Sequence, residues 1–330
     1  MSRVVGLDVG GSRTRGRLVE DGRIVAESAG PSASLTAAGE AAAAAALRQV
    51  LDGLGRQGIA AAVAGAAGCD TRQSRARMRD LLLAELPGAA VDVVHDARLV
   101  LAAAGLDAGI ALIAGTGSVA YGSAADGSEA RAGGWGHLLG DEGSGYWIVR
   151  QAIRQVLAER DRGESPGHLA AVLLRAVGIA EPLALTAEFH RDREPARWAA
   201  LSHAALLAEP ALAEAAGAEL ARLALGVARR LELAGPVVLA GGLLLGEPTV
   251  AGAVERALAG ALPGAVVRRA TEEPVTGAVR LAERLARRPL PPGGGGGPPG
   301  AVGGAMPTSL PPRGGGGPSG PVGGIPPAHG

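Results

Sequence analysis

One order of elements is read twice along this chain. Val4–Asp8 is a short apolar run, Gly10-Gly11 turns it, and Arg15–Val19 resumes in extended fashion. Asp21-Gly22 is a hairpin signal before Arg23–Glu27, so three antiparallel strands open the chain. An Ala-rich helix follows from Thr36, a plausible N-cap, to about Leu54. Then come strand Ile59–Ala64, helix Arg72–Leu86, strand Val91–Val94 and helix Arg98–Ala104. At Ile110 the pattern restarts: strand Ile110–Ala114, the turn Gly115-Thr116-Gly117, strand Ser118–Gly122, the Asp126-Gly127 hairpin and strand Ala130–Gly134. Helix is expected from Glu142 to about Arg160. Leu169–Gly235 reads as mostly helical, with breaks at Pro182, Pro195 and Pro210. Strand Pro236–Ala240, helix Thr249–Leu262, strand Ala265–Arg268 and helix Val275–Arg288 complete the second round. Two related α/β segments, 1–107 and 108–288, are therefore expected. From Pro289 to 330 the chain is almost entirely Gly and Pro, with too little apolar surface to offset ordering entropy, and reads as a disordered tail.

The missing residue types narrow the chemistry. All 32 basic residues are arginine, which removes the Walker P-loop, the protein-kinase strand lysine and a Schiff-base lysine. They balance 32 acidic residues, so no basic field points to nucleic acid or an anionic membrane. The single cysteine, Cys69, excludes a disulfide framework and a thiolate metal site within one chain. None of the six His falls at metal-ligand spacing. The opening MSRVVGLDVG reads as a strand and no apolar run reaches bilayer length, so a cytoplasmic, soluble protein without membrane partners is expected.

Two glycine turns carry the first chemistry. Leu7-Asp8-Val9-Gly10-Gly11-Ser12-Arg13-Thr14 joins strand to strand, whereas the P-loop and the dinucleotide fingerprint each open a helix. Gly10, Gly11, Ser12 and Thr14 offer backbone N–H groups and hydroxyls to phosphate oxygens, and Asp8 is placed to hold Mg²⁺ through water. An ordinary Gly hairpin with Asp8 as a turn residue is the alternative. Gly115-Thr116-Gly117-Ser118 is the corresponding turn of the second half. It matches the Rossmann spacing through Ala120, but extended sequence follows where a helix is required. Together the turns would grip a nucleotide triphosphate across a cleft.

The stretch Gly133–Trp147 gathers two of the three Trp, one of the two Tyr, six glycines and the pair Asp141-Glu142. Close backbone approach, an aromatic wall and carboxylate acceptors suit a small hydroxyl-rich ligand such as a sugar. A Gly-rich loop whose Trp residues fill core is the alternative.

With these motifs on the page, the chain resembles the sugar kinase, hexokinase, actin and Hsp70 ATPase superfamily. More narrowly, it is similar to N-acetylglucosamine kinases and the BadF/BadG/BcrA/BcrD ATPases. The resemblance is carried by LDVGGSRT, VVHDA at 93–97, IAGTGS at 113–118, GGWGHLLGDEGSGYW at 133–147 and VLAGGLLL at 238–245. It implies an α/β fold of two actin-like (ribonuclease-H-like) domains with a nucleotide cleft between them, closing over ATP, Mg²⁺ and an amino sugar. It implies Asp96 as catalytic base, and Gly134, Trp135 and Asp141 as sugar contacts. Gly10–Ser12 and Thr116 would be the phosphate clamps, Gly241-Gly242 the adenosine motif, and Glu273–Ala278 the start of a helix packed between the domains. Each position has another reading. Asp96 also suits an N-cap, Asp141 and Glu142 a helix N-terminus, and Gly241-Gly242 a turn. His95 and His137 read as hydrogen-bonding neighbours.

One segment departs from the pattern. Animal N-acetylglucosamine kinases carry a sugar-contacting Asn in the segment corresponding to Gly30–Thr36, where Ser34 now lies nearest. The acceptor is thus left open among N-acetylglucosamine, glucosamine and another hexose, and a homodimer is left open too. A CoA-reductase activator ATPase is the second reading; one Cys per chain gives a dimer two thiolates, short of four. A sugar-responsive regulator is the third, although a first strand at about residue 4 leaves no room for a helix-turn-helix domain.

Overall fold

Asp21 and Gly22 both take positive φ, 46° and 79°, and turn the chain as the hairpin signal requires. They join β2 (Arg13–Glu20) to β3 (Arg23–Pro31), and β1 (Arg3–Val9) precedes both, all antiparallel. This computed structural model describes residues 2–288; the expectation of a disordered tail falls on residues outside that range. The first segment continues with α1 (Leu35–Ala38), α2 (Glu40–Leu54), β4 (Ile59–Ala66), α3 (Arg72–Glu85), β5 (Ala90–His95) and α4 (Asp96–Ala103). Thr36 is inside α1 and does not cap it; Ser34 and Gly39 take the two cap positions.

The second segment repeats the plan. Antiparallel β6 (Gly109–Ala114), β7 (Ser118–Ser123) and β8 (Glu129–Gly133) are followed by α5 (Gly145–Asp161). The expected helical stretch comprises α6 (His168–Val177), α7 (Pro182–Arg191), α8 (Pro195–Ala199), α9 (Ser202–Ala208) and α10 (Ala211–Leu231). β9 (Val237–Ala240), α11 (Gly242–Gly246), α12 (Pro248–Ala261), β10 (Val267–Arg269) and α13 (Pro274–Arg287) close the fold. The first sheet runs β3-β2-β1-β4-β5 and the second β10-β9-β6-β7-β8, the same order reversed.

Alternating side-chain directions sort β1 onto two covered faces. Val5, Leu7 and Val9 join the core under α2 and α3, while Val4, Gly6 and Asp8 face the other way. That second face is covered from far along the chain, by Val279 and Ala282 of α13 against Val4, Val19, Ala61 and Val63. A Cβ on Gly6 would stand 2.5 Å from the Val279 nitrogen, so only glycine admits α13 this close. α4 does the converse, packing Ala97, Val100 and Leu101 on Ala111, Tyr121, Val238 and Ala240 of the second sheet. The two helices touch where a Cβ on Gly277 would overlap the Leu99 carbonyl. By chain order α13 falls in 108–288, but its apolar face belongs to the first sheet. Each buried Val or Leu contributes about 1.5–3 kcal/mol, and the alanines less, which together fasten the lobes to one another at this crossing. Among the described residues no single helix is long and apolar enough to cross a membrane.

Candidate active site

Asp8 stands on the α13 face of β1, opposite Arg15 in register and one residue before the strand ends. Burial first, then the charge of nearby Asp96, pushes its carboxyl up to about 6 against the pull of Arg15 and Arg13. A carboxyl held this way gains from any cation brought beside it. Beyond it the Gly10 N–H donates to the Arg13 carbonyl at 3.0 Å, and the Ser32 hydroxyl donates to the Gly10 carbonyl at 2.8 Å. Gly11 has open space around it, and Ser12 is exposed. Thr14 is different. It is fully buried and its Oγ1 accepts the Ala33 N–H at 2.9 Å, so it braces the turn from behind and offers nothing to a phosphate.

Asp96 is the first residue of α4, and His95 holds the cap position, its Nδ1 accepting the Ala97 N–H at 3.1 Å. The Asp96 side chain keeps 35% of its surface exposed. It lines a cavity of about 460 Å³ together with Asp8, Ile113, Gly241, Leu245 and the segment Ala270–Pro274. The walls therefore come from both sheets.

A second cavity of about 260 Å³ is lined by Gly115, Thr116 and Gly242, with Ser202 and Glu247. The Gly115–Gly117 turn closes on itself at 2.9 Å and is followed by β7, a strand, as its sequence context requires. Gly241 has φ 89°, and a Cβ there would overlap the Ala114 carbonyl; Gly242 opens α11 into free space. Gly241-Gly242 is thus a strand-to-helix turn that also forms cavity wall.

The loop after β8 is tied to the Gly115–Gly117 turn. Gly134, at φ 70°, donates its N–H to the Ser118 carbonyl at 2.8 Å, and the Ser118 hydroxyl donates to the Glu142 carbonyl at 2.7 Å. Asp141, expected to face a sugar, is buried at φ 61° with its carboxylate turned inward. Its Oδ1 accepts the Ser118 N–H at 3.2 Å, and burial pushes the carboxyl above the usual range while that N–H pulls the other way. α5 starts at Gly145, three residues later than expected, because Ser144 caps it by accepting the Trp147 N–H at 3.2 Å. Trp147, in the first turn of α5, is core. Trp135 is 60% exposed. Ser34 is buried with its hydroxyl donating to the Ala67 carbonyl at 2.9 Å, so it presents nothing to a ligand.

Trp135 lines a third cavity, about 330 Å³, with residues the motifs did not single out: Asp70, Arg75, Tyr121, Glu129 and Arg131. The Arg131 guanidinium lies 4.6 Å over the Trp135 ring and donates to Asp70 at 2.8 Å. His95 lines the same cavity and stacks on Tyr121 at 4.9 Å. One signal could have found Asp70: it follows β4 at the carboxyl edge of the parallel strands, where open α/β sheets bind ligands. Cys69 beside it is buried, its thiol pushed up to about 11 chiefly by that burial, and is no thiolate ligand. Among the described residues no group of three His, Cys, Asp or Glu could hold a metal unaided.

Two five-stranded sheets in mirrored order, joined by crossing helices around a glycine-lined cleft, define the two-lobed actin-like ATPase class. Within it, the chain belongs to the BadF/BadG/BcrA/BcrD ATPase family, which it matches over residues 5–282. It is 36% identical over 174 residues to the N-acetylmuramic acid/N-acetylglucosamine kinase of Clostridium acetobutylicum, covering 50% of this chain and 56% of that one. To the N-acetyl-D-glucosamine kinase of Dictyostelium discoideum it is 28% identical over 193 residues, covering 53% and 60%. The chain thus spans little more than half the length of these curated relatives. A Chromobacterium violaceum protein, solved as a candidate N-acetylglucosamine kinase, superposes with TM-score 0.63 at 25% identity over 87% of this chain and 99% of that one.

Proposed function

We propose that the protein is an ATP-dependent amino-sugar kinase, transferring the γ-phosphoryl group to a hydroxyl, O6, of N-acetylglucosamine or glucosamine. The observation that carries this reading is the place of Asp96. Its carboxylate shares one cavity with Asp8 and Gly241, and its neighbour His95 lines the next cavity, with Trp135. A base in that position serves two ligands at once.

In this reading adenosine lies against Gly241 and Gly242, and the triphosphate lies between Gly10, Gly11 and Ser12 on one side and Gly115, Thr116 and Gly117 on the other. Trp135 walls the sugar and Gly134 lets it approach the backbone. Asp8 fits Mg²⁺, because a carboxyl pushed up to about 6 by burial and a like charge is relieved by a hard cation. One carboxylate suffices where phosphate oxygens and water complete the shell, and the bound ion would neutralise phosphate charge. Asp96 accepts the proton of the attacking hydroxyl, the sugar oxygen bonds to the γ-phosphorus, and the bond to the β-phosphate oxygen breaks to release ADP. With no lysine in the chain, Arg13 and Arg15 supply the cationic surroundings of Asp8.

The relatives' names, both N-acetylglucosamine kinases, support the acceptor class. The activator-ATPase reading needs cysteines presented to a cluster, and Cys69 is single and buried. The test is ADP release with a panel of hexoses and amino sugars, with ³¹P–¹H coupling locating the new ester. Release dependent on an amino sugar, with phosphate on O6, is expected. Hydrolysis indifferent to every sugar would replace the kinase by an ATPase.

A further inference from the structure

Four side chains from the two lobes join end to end and reach Asp96. The Arg131 guanidinium stacks on Trp135 at 4.6 Å and donates from Nη1 to Asp70 Oδ1 at 2.8 Å. The same oxygen meets His95 Nε2 at 3.1 Å, and His95 Nδ1 lies 2.9 Å from Asp96 Oδ1. The Ala97 N–H donates to both Nδ1, at 3.1 Å, and Asp96 Oδ1, at 2.9 Å. Because ring and carboxylate share one N–H, turning the ring displaces the carboxylate. The ring is buried and lies flat on Tyr121 of the second sheet, 15° from parallel, so its remaining freedom is set by what holds Nε2.

Thr71 caps α3, and the Asp70 side chain is 39% exposed, where an ion pair adds little to stability. We propose that Asp70 is a positioning residue for Asp96, linked to it through His95 and, across the cleft, to Trp135 through Arg131. The inference rests on the kinase reading above. Arg131 on the Trp135 ring steadies Asp70, Asp70 holds the imidazole, and the imidazole keeps Asp96 aligned toward an acceptor seated on the indole. Asp70 touches neither nucleotide nor transferred phosphoryl group.

A neighbouring pair supplies the comparison. Arg75 of α3 and Glu129 of β8 also pair, at 2.6 Å, but neither bonds His95 nor stacks on Trp135. The experiment measures kcat, KM for sugar and for ATP, and Tm for Asp70→Asn and Glu129→Gln in the full chain. Asp70→Asn should lower kcat by about 10–100-fold with sugar KM changed far less, since slight misplacement of a reacting group has effects of that order. Its loss should exceed that of Glu129→Gln by about tenfold at similar Tm. Equal losses in kcat and Tm would make Asp70 a mere tie between lobes and overturn the proposal. Arg131→Gln combined with Asp70→Asn should lower kcat no further than the stronger single change; additive losses overturn the link. Asp96→Asn is assayed alongside. If it stays active, Asp96 is not the base and the role given to it fails; if it is inactive while Asp70→Asn matches wild type, only the present inference fails.

Discussion

The two glycine turns occupy equivalent places, β1–β2 and β6–β7, yet they are held in opposite ways. The Gly10–Ser12 turn is held only at its base, by the Gly10 N–H closing the hairpin and the Ser32 hydroxyl on the Gly10 carbonyl, with open space around Gly11. The Gly115–Gly117 turn is fastened to the loop that follows β8. The Gly145 N–H reaches the Gly115 carbonyl at 2.8 Å, and the Asp141 carboxylate lies against Gly117 and Ser118. The residues just before the turns also differ. Asp8 is second from the end of β1 and Ile113 second from the end of β6, and both line the same cavity. An apolar side chain thus serves the fold at this position in one lobe, and the other lobe carries an acid there. With the roles proposed for Asp8 and Asp96, the contrast puts the reacting groups in the first lobe and a tied frame in the second.

The largest test of that division is Asp96→Asn. Removing the base should lower kcat by about 10²–10⁴ with sugar KM little changed. Steady-state kinetics beside an unchanged circular dichroism spectrum would check it, and full activity would take the chemistry away from the first lobe.

The frame is tested by one substitution in each turn. A Cβ on Gly117 would stand 2.8 Å from the Asp141 carboxylate and push it off the Ser118 N–H. Leaving that buried acid short of a donor costs about 1–3 kcal/mol, so Gly117→Ala should lower Tm by several degrees and raise KM for both substrates. Gly11→Ala meets nothing within 4 Å and should leave Tm unchanged while raising KM for ATP alone. Equal Tm losses would show that the turns are held alike after all.

The pair also explains what sequence could and could not reveal. The repeated run of three antiparallel strands was legible because Asp21-Gly22, Asp126-Gly127 and both glycine turns are local signals, settled by a few dihedral angles. The glycines that make the cleft were legible for the same reason. Side-chain direction was not. Thr14, Ser34 and Asp141 all carry groups that suit a ligand, but each is turned inward by a backbone partner that only the fold supplies: Ala33, Ala67 and Ser118. Asp70 and Arg131 went unread because they lie 61 positions apart and meet only when the lobes come together. α13 covers a sheet whose first strand lies more than two hundred residues earlier; no local periodicity reports this, and only the family resemblance of Glu273–Ala278 anticipated it.

Trp135 sharpens the comparison from the side of the frame. It is the exposed end of a loop otherwise locked to the second turn, so its indole can be removed without loosening that turn. Trp135→Ala should raise sugar KM by about tenfold, the loss of one stacking face, and change KM for ATP by less than about twofold. A parallel rise in both would mean that the indole braces the phosphate turn as Asp141 does.

The smallest effect is on stability, and it isolates Asp8. Its carboxyl is raised from an ordinary 3.8 to about 6 in the folded protein, so over that window the folded state binds more protons than the unfolded one. Stability is therefore lost as pH rises from about 4 to about 6, and the full penalty persists above. Asp8→Asn removes it. The variant should melt about 3 °C higher than wild type at pH 8, with the gain shrinking as pH falls below 6. Mg²⁺-ATP should reverse the order, because a cation beside the ionised carboxylate relieves in wild type the same strain that the amide abolishes. Differential scanning fluorimetry across pH, with and without Mg²⁺-ATP, reads both effects. A gain independent of pH, or nucleotide stabilisation equal in the two proteins, would make Asp8 equivalent to Ile113: a wall of the cavity and nothing more.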